Sequence, residues 1–311
     1  MSKAQTQKFF PGDLVEVRSL NEILATLDGQ GCRERLPFMP EMTAFVGRQF
    51  RVSRRAFKTC VDDAEMRQLD DTVFLEGVRC DGSSHGGCDK ACLIFWKESW
   101  LKPAGTNGLI KTHRQPEITH SDLIRLANQD GQFFCQSSEI VNASKPLPWW
   151  EPRQYLLDIL HNRIPLTQWL KGLLIAFYNK IAHVTGRKSW RFVAGPGTFN
   201  GTPSTLNLKP GDLVRVKRLD QIQQTLDLQG KHQHLLFAPS MAAFCGSVMR
   251  VEKRVERIIL EASSRQREIK DTVLLEGAAC DGLCHRLCPR QSLLFWRECW
   301  LERVSESEVP R

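Results

Sequence analysis

Apolar and polar residues alternate from Asp13 to Arg18, the period of a half-buried strand. Ser19-Leu20-Asn21-Glu22 then forms a capping box, and Leu20, Ile23, Leu24 and Leu27 fall on one face of a short helix that ends by Gly29. A proline-rich turn follows at Pro37 to Pro40, with a short Met42 to Val46 segment stopped by Gly47. Phe50, Val52 and the pair Val73 and Leu75 alternate as strands again, and a strand from Phe95-Trp96 to Leu101 closes the run.

The same order then returns. Gly12-Asp13-Leu14-Val15-Glu16-Val17 matches Gly211-Asp212-Leu213-Val214-Arg215-Val216, 199 residues on, and Met42, Phe45 and Gly47 match Met241, Phe244 and Gly246. From Asp71 to Leu101 the spacing becomes 200, so one residue has been inserted. A repeat unit of about ninety residues, Gly12 to Leu101 and Gly211 to Leu301, is too long for a solenoid unit and suits a small domain. In the second copy Arg218 replaces the capping serine, so that helix is expected to start later, capped by Asp220.

Short strands opening on Pro-Gly-Asp-Leu-Val resemble SH3-like barrels, such as that of the nitrile hydratase β chain. The phrases Leu-Pro-Phe-Met-Pro-Glu-Met, Cys-Asp-Gly … His-Gly-Gly-Cys and Pro-Leu-Pro-Trp-Trp-Glu-Pro-Arg-Gln-Tyr resemble an uncharacterised bacterial family over most of the chain, a resemblance that carries no activity with it. The fold expected is α+β, mainly β: two homologous SH3-like small barrels, at 9–102 and 209–304, joined by a mostly helical connector at 103–208.

Within the connector, Thr119 or Ser121 caps a helix through Ala127, Phe133-Phe134-Cys135 reads as a strand, and Pro146 to Pro152 is a rigid aromatic turn. Residues 165–183 carry a stripe of Trp169, Leu170, Leu173, Leu174, Phe177 and Ile181 with Lys171, Asn179 and Lys180 opposite. The stripe is too short and too interrupted to span a bilayer, so no transmembrane segment is expected. Intramolecular packing is the expectation for it, with a peripheral membrane contact as the alternative. Residues 186–207, rich in Gly, Pro, Thr and Ser, read as an exposed linker.

At 311 residues, 41% hydrophobic and 25% charged, the chain has enough apolar material for two or three cores. Its polar N-terminus lacks a secretory signal, which predicts a cytoplasmic protein. In that compartment eleven cysteines point to metal rather than disulfides. Cys80, His85, Cys88 and Cys92 lie in one glycine-rich loop, and Cys60 ends the strand ahead of it. Together they offer tetrahedral zinc one ligand more than it needs; the same thiolates suit an iron–sulfur cluster, and small buried thiols without metal are the third reading. Asp81 stands ready as an outer hydrogen-bond partner.

In the second copy Cys280, His285 and Cys288 match Cys80, His85 and Cys88, but Ile259 and Ser292 replace Cys60 and Cys92, and Cys284 is new. Cys280, Cys284, His285 and Cys288 therefore make either a rearranged second site or an emptied one. Cys135 reads as a core thiol, or as a nucleophile with His113, His120 or His161 for a base, and Glu76 and Glu276 as strand-end carboxylates. Arg51, Arg54, Arg55 and Lys58, echoed by Arg250, Lys253, Arg254 and Arg257, form either basic faces for nucleic acid or solvated strand edges. No P-loop, dinucleotide fingerprint, G-x-S-x-G or H-E-x-x-H is present.

Two function classes follow. One is a non-catalytic, metal-stapled module pair that binds a partner protein or an anionic polymer such as nucleic acid. The other is an iron–sulfur or open-zinc enzyme or electron-transfer component.

Overall fold

The structure, a computed structural model, describes residues 7–61, 66–105, 131–197 and 205–305. It is mixed, with more strand than helix. The chain divides into two compact units. The first comprises Met1–Trp169 with Ile259–Arg267 and Cys288–Arg290; the second comprises Leu170–Ile258, Glu268–Leu287 and Gln291–Arg311. The connector is thus shared between the units, the division falling after Trp169.

In the first unit the alternation at Leu14–Val17 becomes a strand whose Val15 and Val17 are fully buried while Leu14 is exposed. It lies inside a five-stranded antiparallel sheet ordered Trp96–Lys97, Thr72–Leu75, Gln49–Arg55, Leu14–Val17, Leu101–Pro103. Val15 pairs with Phe50 on one side and Pro103 on the other, and Val73 pairs with Arg55 and Trp96. The expected single strand from Phe95 to Leu101 is broken by a 3-10 turn at Glu98–Trp100. That turn carries Glu98 inside, where its carboxylate accepts the Phe9 N–H at 2.6 Å and the Arg55 guanidinium at 2.6 Å. Trp96, Trp100 and Phe38 fill the core, each worth about 1.5–3 kcal/mol of burial, and Trp100 Nε1 donates to Thr26 Oγ1 at 3.0 Å.

The second unit has a sheet of the same order, Leu293–Arg297, Thr272–Ala279, Val248–Arg254, Leu213–Val216, Leu301–Arg303. Trp300 Nε1 donates to Thr225 Oγ1 at 2.9 Å, and Phe237 meets Trp300 edge-on at 5.4 Å, the separation found for Phe38 and Trp100. The helix here, Leu219–Gln223, does not start late. Gln221 Oε1 takes the Arg218 N–H at 3.0 Å, as Glu22 takes that of Ser19 at 3.0 Å, so the box closes from its third position without a capping hydroxyl.

Half of the basic cluster of the first copy is buried. Arg55 is buried on Glu98, and Lys58, fully buried, meets Asp158 at 2.7 Å. In the second copy Arg254 is partly buried on Glu298, at 2.7 Å, while Arg250 and Arg257 stay exposed.

Described connector helices are Gln136–Glu139, Arg153–Leu160 and Leu166–Val184; the helix expected from Thr119 or Ser121 to Ala127 lies outside the described residues, as do His113 and His120. Phe133 to Cys135 is not a strand: Gln132 makes an isolated bridge to Arg265, and Cys135 begins the Gln136–Glu139 helix. The expected exposed linker is partly packed, with Gly195 N–H donating to Asp227 O at 2.9 Å and Val193 against the second core.

The stripe on Leu166–Val184 is not buried either. Leu174 is 71% and Phe177 59% exposed, whereas Gly172, Ile175 and Ala182 face inward. The helix thus packs through a narrow line of small residues, and Leu287 occupies the space a Cβ at Gly172 would need. Leu174→Asp and Phe177→Asp are each expected to change stability by no more than about 0.5 kcal/mol in urea denaturation, while Ile175→Asp, which buries a charge, should cost several times that. Among the described residues no helix is long and apolar enough to cross a membrane.

Candidate metal centre

The first cysteine loop is pinned at its neck. Arg79 and Leu93 form an antiparallel bridge, and Cys80 N–H donates to Cys92 O at 2.9 Å, which brings the loop's first and last cysteines side by side. Inside, Asp81 turns the chain by accepting the Ser83 N–H at 2.9 Å, and Gly82 O accepts the N–H of both His85 and Gly87 at 3.0 Å. Gly82 is required there. Its φ is +73°, and an added Cβ would stand 2.0 Å from Cys88 O. Asp81 therefore shapes the loop.

Glu41, from the 3-10 turn Pro40–Phe45, reaches into the loop. Its Oε1 accepts the Ser84 N–H at 3.1 Å and lies 2.6 Å from His85 Nδ1, with both side chains almost fully buried. Cys80 Sγ is 3.9 Å from that oxygen and 4.0 Å from His85 Nδ1. These three ligand atoms all lie within 4.8 Å of one another, the one such group among the described residues. Two buried atoms of the pair, Glu41 Oε2 and His85 Nε2, have no hydrogen-bond partner.

Beside this group lies a cavity of about 30 Å³ lined by four thiols, Cys80, Cys88, Cys92 and Cys135, together with His85, Lys90 and Arg290. Cys135 is brought there by Gln136. The Gln136 amide accepts the Phe95 N–H at 2.8 Å and donates to Phe95 O at 2.9 Å and Pro37 O at 3.0 Å, imitating a strand neighbour and locking the helix start against the sheet. Burial pushes the Cys80, Cys88 and Cys135 thiols up, Cys135 to about 11. At Cys80 the neighbouring Glu41, Cys92 and Cys135 add to the effect; at Cys88 the Lys90 and Ile259 N–H groups oppose it.

The far wall is charged. Glu261, almost wholly buried, is paired with the Arg290 guanidinium, with Lys90 Nζ at 3.2 Å and with the Ser137 hydroxyl at 2.7 Å. Burial alone would raise the Glu261 carboxyl, but Arg290 and Lys90 outweigh it and hold the group well below the ordinary value of 4.5. A depressed carboxylate lends stability that is complete above that value and lost as pH falls beneath it. The stability advantage of the wild type over Glu261→Gln should therefore be greatest near neutrality and shrink as pH drops below 4.5 in a series of urea titrations.

Of the residues expected as ligands, Cys80, His85, Cys88 and Cys92 meet at this cavity. Cys60 does not line it; its Sγ is 3.4 Å from that of Cys288. The zinc tetrahedron of Cys60, Cys80, Cys88 and Cys92 is accordingly not assembled, since it would need sulfurs about 4 Å apart and, among the described residues, no three thiols come within 4.8 Å of one another. Glu41 and Cys135 are additions. Glu41 had one readable signal: it sits in Pro-Glu-Met where the second copy has Pro239-Ser240-Met241. Cys135 had none beyond an unassigned thiol. His161 packs edge-on against Phe10 and Phe57.

The second loop repeats the neck, Cys280 N–H to Ser292 O at 2.8 Å, but not the chemistry. Ser240 stands where Glu41 does, donating to Asp281 Oδ1 at 3.1 Å and lying 3.5 Å from Cys280 Sγ. Leu283 and Leu287 are buried, and Cys284 is pushed up to about 12 by burial and the Asp281 charge. Cys288 belongs to the first unit, so Cys280, Cys284, His285 and Cys288 are not gathered as a ligand group. Comparison with protein-family models, with curated proteins and with solved structures finds no match.

Proposed function

We propose that the first unit is a redox metalloprotein domain whose cavity holds an iron–sulfur cluster on Cys80, Cys88, Cys92 and Cys135, and that the protein acts in electron transfer. The observation that carries this is the ring of four thiols around one cavity, too widely spaced for a single tetrahedral ion and of the residue type clusters require. Lys90 and Arg290 line the same cavity and would offset part of the charge that four thiolates bring to a bound metal. Glu41 and His85 then act behind Cys80 by fixing the loop that carries it. The cavity's enclosure among Met39, Leu93 and Phe95 favours electron transfer over chemistry on a substrate.

We read the two sheets as homologous SH3-like barrels, the first keeping the centre and the second having lost it. Of the partner classes, protein is favoured over nucleic acid, because Arg55 and Lys58 are spent on internal pairs while Leu170, Leu174 and Phe177 are exposed.

Protein purified without oxygen is expected to be brown, to carry iron and acid-labile sulfide in fixed ratio, and to bleach on reduction. Colourless protein with stoichiometric zinc would replace the cluster by a single ion on the Glu41, Cys80, His85 group, and protein free of both metals would end the proposal.

A further inference from the structure

Outside the cavity the first unit has three more cysteines, Cys32, Cys60 and Cys288, and the last two touch. Cys60 Sγ lies 3.4 Å from Cys288 Sγ, and the Cys60 N–H points at Cys288 Sγ from 3.2 Å. Each thiol is held on a fixed frame. Cys60 ends the Lys58–Cys60 strand, paired with Met66, while Cys288 arrives on a three-residue segment anchored by Arg290, whose Nη1 donates to Cys60 O at 3.0 Å and whose other nitrogen grips Glu261. Met66 and Leu147 close the apolar side, so Cys288 is 3% exposed, whereas Cys60 is only partly buried. Arg290 stands near enough to Cys60, and both Arg54 and Asp158 to Cys288, for the charges to interact.

We infer that Cys60 and Cys288 form a reversible dithiol–disulfide couple that exchanges with disulfide substrates, with Cys60 as the attacking thiol and Cys288 as the resolving one. The assignment follows exposure: only Cys60 can be reached from solvent. In the first step Cys60 thiolate, its proton released to water, attacks one sulfur of the incoming disulfide, and the other sulfur leaves as a thiolate that takes up a proton. Cys288 then attacks Cys60 Sγ, giving up its own proton, and expels the second thiol, which is protonated in turn. Two cysteine thiols are oxidised by two electrons and one disulfide is reduced to two thiols. Closing the bond needs the sulfurs to move from contact to about 2 Å, which the partly exposed end of the strand can supply. The product ties the segment carrying Arg290 to the strand carrying Cys60. This inference does not depend on what the neighbouring cavity holds.

The test uses the whole protein, reduced and then equilibrated anaerobically with mixtures of oxidised and reduced glutathione, quenched in acid, alkylated and mapped without reduction. The expected result is a Cys60–Cys288 linked peptide that appears before any other disulfide and follows a single two-electron midpoint. Cys288→Ser should trap glutathione on Cys60, whereas Cys60→Ser should leave Cys288 unmodified in the folded protein and leave the metal content unchanged. The inference is overturned if Cys60 and Cys288 stay separately alkylated at every ratio that leaves the protein folded. It is equally overturned if linked peptides scatter over Cys80, Cys88 and Cys92, or if Cys60→Ser loses metal in parallel with the cavity cysteines.

Discussion

With the proposed cluster in the cavity, Cys135→Ala should lose iron and bleach the protein, although Cys135 lies 43 residues beyond the loop that holds the other three thiols. Loss of a mere outer partner costs about 10–100-fold in metal affinity, and loss of a ligand costs more, so iron retained through desalting should fall by well over tenfold. Metal affinity is also folding free energy, because the unfolded chain holds no preformed site. The melting temperature should therefore drop further in Cys135→Ala than in Cys32→Ala. Cys32 is as deeply buried, at 2% exposure, but lies outside the cavity, so it reports the cost of the missing sulfur atom alone. Equal shifts in the two variants, with colour retained in both, would remove Cys135 from the ligand set.

A second large effect is expected at Lys58. Its ammonium and the Asp158 carboxylate are both wholly shielded, 2.7 Å apart, with the ammonium 5.4 Å from the Phe57 ring and 5.8 Å from that of Tyr155. Burial pushes the Asp158 carboxyl up to about 6 even with Lys58 opposing it, and Asp158 Oδ1 finds no hydrogen-bond partner. Lys58→Met leaves that carboxyl alone in the interior, at a cost of about 3–5 kcal/mol. Replacing both, Lys58→Met with Asp158→Leu, should recover most of the loss, because the desolvation of the pair disappears along with its attraction. Urea titrations of the two singles and the double close this cycle, and additive losses would show that the pair is not coupled.

Much of the local structure was legible along the chain. Alternation placed the strands at Leu14–Val17 and Thr72–Leu75, and the capping box placed the first helix, because these signals depend only on neighbours a few residues apart. The late start expected for Leu219–Gln223 failed on a single detail of the same kind, a glutamine able to do what glutamate does. The cysteine loop was legible too, since its glycines and its terminal cysteines shape a closed turn by themselves.

Partnership across distance was decided elsewhere. Spacing made Cys60 a companion of Cys80, and folding gave it to Cys288 instead, 228 residues away. A run of Arg51, Arg54, Arg55 and Lys58 reads as a basic face until Glu98 arrives from a 3-10 turn and Asp158 from a helix to bury half of it. The apolar stripe of Leu166–Val184 has the right period for burial, yet burial requires a surface to pack against, and the helix found one only along Gly172, Ile175 and Ala182. Periodicity and residue type set what each segment can do alone, by itself and at short range. Which thiol meets which, and which charge is sheltered, depends on free energies that exist only once the sheets have formed, so the gathering of thiols at the cavity belongs to the tertiary structure.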